Sequence, residues 1–254
     1  MTVADLTIIV TTSPIPSMPS TALLEALLKS FDNVVGLEQC RTIIVCDGIG
    51  EVVDGKPNWK RSRVNPEHVL SYAAYIDNVS DLTRRCARPT EVLVLPSRHG
   101  CGLAVAAALA QVVSTFVMIV QHDQIFLRSF DLGGVLEAMR AHADLHYVGI
   151  QSRTTLSYKE RVADRFGIQL EERWMPQLSS PLLPLLMWYD KPHIVSVEYL
   201  RNHVYIDGAL SLGDFVEDVL GRPQLEDIKR HGICAHGKYG TWVLADDNKC
   251  VSRS

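Results

Sequence analysis

Five short apolar segments, separated by patterns typical of helices, constrain the fold of this chain more than any other feature of its 254 residues. The segments are LTIIVTT (6–12), RTIIVCDG (41–48), EVLVLP (91–96), TFVMIVQHD (115–123) and LHYVGI (145–150). Strands that are apolar throughout belong to sheets buried on both faces, which are mostly parallel with right-handed crossovers. The segments therefore predict an α/β fold, in which helices flank a mostly parallel central sheet.

Helix signals stand between these strands. Ser20 precedes leucines at helical spacing and predicts an N-cap, and Asp131 is positioned to cap a later helix. The predicted helices of this half cover residues 21–31, 66–85, 103–113 and 132–142.

The rest of the chain has a less regular pattern. Two strands are predicted over 182–190 and 193–200, joined by a turn at Asp190, Lys191 and Pro192. Two helices follow over 210–221 and 222–232, each ending at a glycine, and a last strand is predicted over 240–246. No linker sets this part off from the first, so we expect one domain over residues 1–254.

Composition narrows the possible partners and location. The formal net charge of −4 includes no long basic run, which argues against a dedicated nucleic-acid binder. No apolar run approaches the roughly 20 residues that span a bilayer, and no secretory signal opens the sequence. The six cysteines form no CxxC pair and predict free thiols in a reducing compartment, hence a cytoplasmic protein.

Polar residues follow the predicted strands where a parallel α/β sheet binds its ligands. They are Thr11, Thr12 and Ser13 after the first strand, Asp47 after the second, Ser97, Arg98, His99, Gly100 and Gly102 after the third, and Gln121, His122, Asp123 and Gln124 after the fourth. The set suits a nucleoside diphosphate, with hydroxyls and Asp47 for the base and ribose and Arg98 for phosphate.

Asp123 is the strongest candidate for a ligand-binding residue, because it follows a long apolar run and stands at the end of a predicted buried strand. A carboxylate there needs a cation or hydrogen bonds to compensate its charge. Mg²⁺ or Mn²⁺ held by a carboxylate and substrate phosphates is a recurrent solution, and such a metal neutralises a departing diphosphate.

These motifs resemble the GT-A glycosyltransferases, particularly the family 2-like inverting enzymes. Their first nucleotide-binding strand and loop resemble IIVTTSPIP, and the segment that contains their base-binding acid resembles TIIVCDG. The stretch that leads to their metal motif resembles SRHGCGLAVAAALAQVVSTFVMIVQHDQIF. The resemblance covers residues 6–150 well. It implies a nucleotide-sugar-binding half over 1–150 and an acceptor-binding half over 151–254. The usual Asp-x-Asp or Asp-Asp motif reads His122–Asp123–Gln124 here, and His122 is a candidate ribose or metal contact.

The resemblance also implies a catalytic carboxylate near the start of a late helix. GDFVED offers Glu217 and Asp218, with Asp214 one turn earlier, and Asp218 matches the family's position best. An inverting transferase needs such a base to take the proton of the acceptor hydroxyl.

Two further groups of residues are candidates for binding. In HGICAHGKYGTW, His236 is a possible further metal ligand and Lys238 a possible phosphate contact, on a glycine-rich loop suited to closing over the donor. Trp188 and Tyr189 are candidates for an acceptor platform, since aromatic faces pack on sugar rings, and core packing is an equal alternative for Trp188. For Arg153 a surface salt bridge is favoured over a donor contact.

The sequence therefore predicts transfer of a sugar from a nucleoside diphosphate, UDP by family habit, to a hydroxyl of a carbohydrate or other acceptor. Inversion and assistance by Mn²⁺ or Mg²⁺ are expected. The alternatives are a sugar-phosphate nucleotidyltransferase, whose glycine-rich first loop is missing, and an inactive GT-A-like carbohydrate- or nucleotide-binding protein. A dinucleotide-binding GxGxxG and a phosphate-binding GxxxxGK[ST] are both absent.

Overall fold

The computed structural model describes residues 5–58, 63–245 and 250–253. Its strands are β1 (Leu6–Thr12), β2 (Arg41–Cys46), β3 (Thr90–Val94), β4 (Phe116–Gln121), β5 (Ile125–Phe126), β6 (Tyr147–Gly149), β7 (Leu182–Pro184), β8 (His193–Ser196), β9 (Thr241–Leu244) and β10 (Ser252–Arg253). Eight of them form one sheet in the order β3-β2-β1-β4-β8-β6-β9-β7, and β10 pairs with β5.

The sheet is parallel through its first half and mixed through the second. The pairs β3–β2, β2–β1, β1–β4 and β6–β9 are parallel. β8 runs antiparallel between β4 and β6, and β7 runs antiparallel to β9 at the edge. The α/β fold with a large, mostly parallel sheet is confirmed.

Helices cover both faces of this sheet. They are α1 (Ala22–Ser30), α2 (Pro66–Arg85), α3 (Cys101–Leu109), α4 (Leu132–Ala141), α5 (Tyr158–Phe166), α6 (Val197–Tyr199) and α7 (Arg222–His231). Shorter turns of 3-10 helix cover Phe31–Asn33, Leu37–Gln39, Arg153–Thr155 and Ile233–Lys238, and π-helical turns cover Leu200–Val204 and Glu217–Gly221.

Alternate residues of the central strands feed two hydrophobic cores. Ile8 and Val10 of β1 point to the core that contains α1, α2 and α4, whereas Ile9 points to the core that contains α3, α5 and α7. All three side chains are fully buried. The period-2 alternation of a strand with two covered faces explains why these segments are apolar at every position.

Helix capping agrees with the sequence at one of the two predicted positions. Asp131 caps α4, because its side chain accepts a hydrogen bond from the Gly134 N–H at 2.9 Å. The prediction for Ser20 was wrong by one residue, since α1 starts after Thr21. The Ser20 hydroxyl instead accepts from the Ala22 N–H at 3.3 Å.

The predicted strand pair before and after Asp190 was wrong. β7 is only three residues long and pairs with β9, while β8 lies between β4 and β6, so the two strands are not neighbours. The segment that follows Ser196 is helical rather than extended. Pairing with distant strands, which local sequence does not encode, decides this arrangement.

The helix predicted over 210–221 is also shorter than expected. Helical structure begins at Glu217 and runs through Gly221 into α7, so Gly221 does not end a helix. A Cβ at Gly221 would lie 2.7 Å from the Trp188 carbonyl oxygen, so this glycine permits a close approach of two backbones. α7 does end before Gly232, as predicted. The last residue of the predicted strand 240–246 lies outside the described residues.

The six cysteines all lie in the described part of the chain, and none of them forms a disulfide there. Among the described residues, the helices are too short or too polar to cross a membrane.

The chain reverses its direction of travel across the sheet at β1. It moves from β1 to β2 and then β3 in one direction, with α1 and α2 on one face. It then returns over the other face through α3 to place β4 on the far side of β1. A crevice opens at the carboxyl ends of strands where such a reversal occurs. The topology therefore puts a ligand site beyond Thr12 of β1 and Gln121 of β4.

Two adjacent valines after α3 test the assignment of residues to the core that contains α3, α5 and α7. Val112 is 3% exposed and Val113 is 94% exposed. We expect Val112→Ala to lower the free energy of unfolding by about 1–2 kcal/mol, because it removes buried methyl groups. Val113→Ala, the matched control, should change it by less than about 0.5 kcal/mol. Urea denaturation measures both, and equal losses would contradict the assignment.

Candidate functional site

A cavity of about 250 Å³ lies at the reversal point between β1 and β4; we call it the switch-point cavity. Its lining comprises Thr11, Thr12, Ser13, Asp47, Arg98, Gly100, Cys101, Ala104, Gln121, His122, Gly213 and Phe215. Seven of the nine predicted donor-binding residues are in this set; Asp123 and Lys238 are not. The sequence reasoning found these residues because each follows a strand whose end the topology brings to one place.

Asp47 orders one wall of this cavity. One carboxylate oxygen accepts from the N–H groups of His99, at 2.7 Å, and Gly48, at 3.0 Å, and the other accepts from the Gly100 N–H at 2.9 Å. The Tyr72 hydroxyl donates to the Asp47 carbonyl. These contacts hold the loop after β3 against the end of β2. A contact between Asp47 and a nucleobase stays a prediction.

Two glycines bring the loop after β3 against the loop before Glu217. Gly100 has φ +82° and Gly213 has φ +85°, and a Cβ on Gly100 would lie 2.5 Å from the Gly213 Cα. The Gly213 N–H donates to the His99 carbonyl at 3.0 Å. Both positions need glycine, for their left-handed conformation and for the close backbone approach.

Arg98 lies over this glycine contact. A Cβ on Gly213 would be 2.7 Å from a terminal nitrogen of the Arg98 guanidinium. The Arg98 Nε is buried without a hydrogen-bond partner, and within the described chain no carboxylate pairs with this arginine. A guanidinium that lines a cavity without an anionic partner is suited to bind a phosphate there.

His122 is held neutral at the edge of the same cavity. Its Nδ1 lies 3.3 Å from the Thr11 carbonyl oxygen, which can only accept, so Nδ1 carries the proton. Burial lowers the pKa of His122, while the nearby Asp123 acts in the opposite direction. The Nε2 lone pair of this tautomer is therefore available as an acceptor for a ligand hydroxyl.

A second cavity, of about 810 Å³, has Asp123 in its lining, the residue that follows His122 of the switch-point cavity; we call it the basic cavity. It is lined by Leu23, Ala26, Asp123, Gln124, Ile125, Leu127, Ser152, Arg153, Thr154, Leu156, Lys191, Cys250 and Arg253. Asp123 is the single acid among the described lining residues, and the Gln124 amide lies 3.5 Å from the Asp123 carboxylate. The favoured surface salt bridge of Arg153 is not formed with any described residue, and Arg153 lines the cavity instead.

Asp190 is the functional candidate that the sequence reasoning missed. It lies in a small cavity between the other two, beside Cys101 and Gln121, which also line the switch-point cavity. The Gln121 amide donates to the Asp190 carbonyl at 3.1 Å. Asp190 was treated as a turn residue, although it follows an apolar run as Asp123 does, and that signal identifies it.

Asp190 and Glu217 hold each other through reciprocal hydrogen bonds. The Asp190 N–H donates to a Glu217 carboxylate oxygen at 3.2 Å, and the Glu217 N–H donates to an Asp190 carboxylate oxygen at 3.4 Å. The Trp188 indole N–H donates to the other Asp190 oxygen at 3.1 Å. Burial, with a further contribution from the Glu217 charge, raises the pKa of Asp190 to about 6. Asp190 lines the small cavity, and Glu217 is joined to it by these hydrogen bonds.

The other two predicted catalytic acids have different surroundings. Asp218 is exposed and forms an ion pair with Arg222 at 2.8 Å, one turn later. Asp214 accepts from the Ser211 N–H at 2.8 Å and so stabilises the turn before the helix. Of the three acids predicted from GDFVED, Glu217 is therefore the one that the structure brings to Asp190.

The predicted acceptor platform is only partly accessible. Trp188 is 2% exposed and packs against Tyr147 and His193 in the core, so its face is closed to a sugar. This corrects the prediction, and the reason is that Trp188 stacks within a buried aromatic cluster. Tyr189 packs edge-on against Tyr158 and lines a groove between α5 and α7.

His236 and Lys238 lie at the wrong edge of the sheet for the predicted roles. β9 runs in the same direction as β4, so residues just before β9 lie opposite the carboxyl ends. His236 is buried and bonded through Nε2 to the Thr241 carbonyl at 2.6 Å, and Lys238 pairs with Asp227 at 2.7 Å. The prediction of a metal site formed by Asp123 and His236 is therefore wrong, and so is the prediction that Lys238 contacts a phosphate.

The described residues do not supply a donor set for a divalent metal. Within residues 5–58, 63–245 and 250–253, no three His, Cys, Asp or Glu side chains converge as a metal site requires. One carboxylate such as that of Asp123 can hold Mg²⁺ or Mn²⁺ together with substrate phosphates, but the described lining adds three cations whose charge opposes a divalent cation. The described side chains thus do not fit the implied metal.

Two solved structures of TarS share this fold. TarS from S. aureus in complex with UDP-GlcNAc matches 98% of this chain, with 13% sequence identity and a TM-score of 0.55. A longer TarS structure also matches 98%, with 16% identity and a TM-score of 0.54. The mannosyltransferase PcManGT from Pyrobaculum calidifontis, in complex with GDP-Man and Mn²⁺, matches 77% of this chain and 45% of its own, with 14% identity and a TM-score of 0.46.

The likeness to TarS shows that the chain has a GT-A-type glycosyltransferase fold. The chain covers 58% of the shorter TarS structure and 36% of the longer one, and so spans only part of that protein. Neither a protein-family model nor a curated protein sequence matches the chain.

Asp190→Asn should change how stability depends on pH. An unfolded aspartate titrates near pH 4, whereas Asp190 in the folded chain has a pKa of about 6. Because the raised pKa disfavours the folded carboxylate, the stability it contributes when protonated is lost as the pH rises from about 4 to about 6.

As the pH rises through this range, the free energy of unfolding of the wild type should thus fall relative to that of Asp190→Asn, by at most about 3 kcal/mol. Urea denaturation between about pH 4 and pH 7 measures the difference. A difference that does not vary with pH would contradict a buried, ionising Asp190.

Proposed function

We propose that this protein transfers a sugar from a nucleoside diphosphate sugar to a hydroxyl acceptor. The observation that carries the proposal is the pair of cavities lined by the consecutive residues His122 and Asp123, at the point where the sheet reverses. One is lined by hydroxyls and an unpaired arginine, and the other is larger and positively charged. A nucleoside in the first would direct its diphosphate and sugar toward the second.

The parts of the donor correspond to groups in the switch-point cavity. Ser13 offers a hydroxyl to the nucleoside, whereas the hydroxyls of Thr11 and Thr12 contact Cys101 and Tyr75. The His122 Nε2 offers an acceptor to a ribose hydroxyl. Arg98 offers an unpaired guanidinium to phosphate. TarS, which shares the fold, is described in complex with UDP-GlcNAc, so UDP-sugars are the first donors to test.

We assign the base to Glu217, with Asp190 as its positioning partner. In a single displacement, the acceptor oxygen attacks the anomeric carbon while Glu217 accepts the hydroxyl proton. The bond from that carbon to the diphosphate oxygen breaks, and its electron pair leaves with the diphosphate. One displacement inverts the anomeric centre. The reciprocal hydrogen bonds hold Glu217 next to Asp190, which lines the small cavity beside Cys101 and Gln121.

Donor binding can be tested with Arg98→Met. Isothermal titration with UDP and UDP-GlcNAc should show binding to the wild type. The variant should weaken it about tenfold or more, because a charge-assisted contact to phosphate is lost.

Arg85→Met, at the exposed end of α2, is the control for donor binding and should stay within about twofold of the wild type, since exposed charges contribute little. Failure of UDP, GDP, CDP and ADP to bind the wild type would refute the proposed function.

The base can be tested by comparing two neighbouring acids. Glu217→Gln should reduce transfer by about a hundredfold or more while leaving UDP binding unchanged, because the amide cannot accept the acceptor proton. Asp218→Asn loses only an exposed ion pair with Arg222 and should keep most of its activity. Transfer rates over an acceptor panel measure both.

The opposite order, a silent Glu217→Gln and an inactive Asp218→Asn, would move the base to Asp218. A wild type that binds nucleotide-sugars but transfers to no acceptor would indicate a binding protein instead.

A further inference from the structure

The basic cavity contains three cations where the fold family places a divalent metal. Arg153 follows β6, Lys191 precedes β8, and Arg253 lies on β10. Since β8 runs antiparallel to β4 and β6, all three positions are at the same edge of the sheet as Asp123.

The pairing of β10 with β5 fixes one of these cations beside Asp123. Arg253 is the register partner of Ile125, two residues after Asp123. The Val251 carbonyl accepts from the Leu127 N–H at 2.7 Å, and the Val251 N–H donates to the Gln151 carbonyl at 3.0 Å. The end of the chain is thus tied both to the segment after β4 and to the segment after β6.

The lining of this cavity has an unbalanced charge. Among the described lining residues, three cations share the cavity with a single carboxylate, that of Asp123, which is an excess of two positive charges. Arg153, Lys191 and Arg253 form no ion pair with any acid in the part of the chain described here. A metal ion placed next to Asp123 would meet this positive field, whereas a diphosphate would be attracted by it.

We propose that Arg153, Lys191 and Arg253 hold the donor diphosphate and replace the divalent metal in neutralising it as it departs. The inference rests on the proposed function and specifies which side chains stabilise the departing diphosphate. When the bond between the anomeric carbon and the diphosphate oxygen breaks, the electron pair stays on that oxygen. The three cations compensate its charge, and the two guanidinium groups suit paired phosphate oxygens.

The same arrangement gives Asp123 a different role from the one predicted. Its carboxylate shares the cavity with the three cations and lies 3.5 Å from the Gln124 amide, so it can orient these groups or accept from a sugar hydroxyl. Neither role requires a metal, and the sequence His122–Asp123–Gln124 fits both.

The experiment is isothermal titration of the full chain with UDP, UMP and uridine, first in EDTA and then with Mn²⁺. We expect UDP to bind in EDTA with an affinity within about twofold of that in Mn²⁺. Arg153→Met and Arg253→Met should each weaken UDP binding about tenfold, because each removes a charge-assisted contact to the diphosphate. Uridine binding should be unchanged in both variants.

Arg230→Met, an exposed position on α7, is the matched control and should bind UDP as the wild type does. Binding of UDP that requires Mn²⁺, together with normal binding by the Arg153 and Arg253 variants, would overturn the inference and leave the proposed function standing. Absence of binding by UDP, GDP, CDP and ADP in both conditions would remove the proposed function, and the inference with it.

Discussion

The reversal of the chain at β1 is the constraint on which the rest of the molecule depends. Because β2 and β3 lie on one side of β1 and β4 on the other, the loops after β1 and β4 separate and leave a crevice. Asp47 fixes one wall of this crevice, because its carboxylate accepts hydrogen bonds from three N–H groups of the adjoining loops. Topology thus provides the opening, and one buried carboxylate provides its shape.

The first half of the fold could be predicted because its information is local. Strands covered on both faces are apolar at every position, and the helices between them show their own periodicity and caps, as at Asp131. The second half depends on distant pairing. β7 and β8 are adjacent in sequence but separated in the sheet, and Gly221 looks like a helix end although it serves a backbone contact with Trp188.

The same division holds for the site. Thr12, Arg98 and His122 were predicted because they follow parallel strands, whose ends must meet. His236 and Lys238 were misplaced because their side of the sheet depends on the direction of β9, which the sequence does not show. The Asp190–Glu217 pair could be found only in three dimensions, since its members are 27 residues apart and joined by backbone hydrogen bonds.

The contact between Gly100 and Gly213 has a mechanical consequence. It joins the loop that carries Arg98 to a loop that leads, four residues later, into Glu217, with no side chain between the two backbones to absorb a displacement. A shift of the Gly100 backbone toward Gly213 would therefore be passed directly to the segment that carries Glu217, so the two loops can move only as one unit.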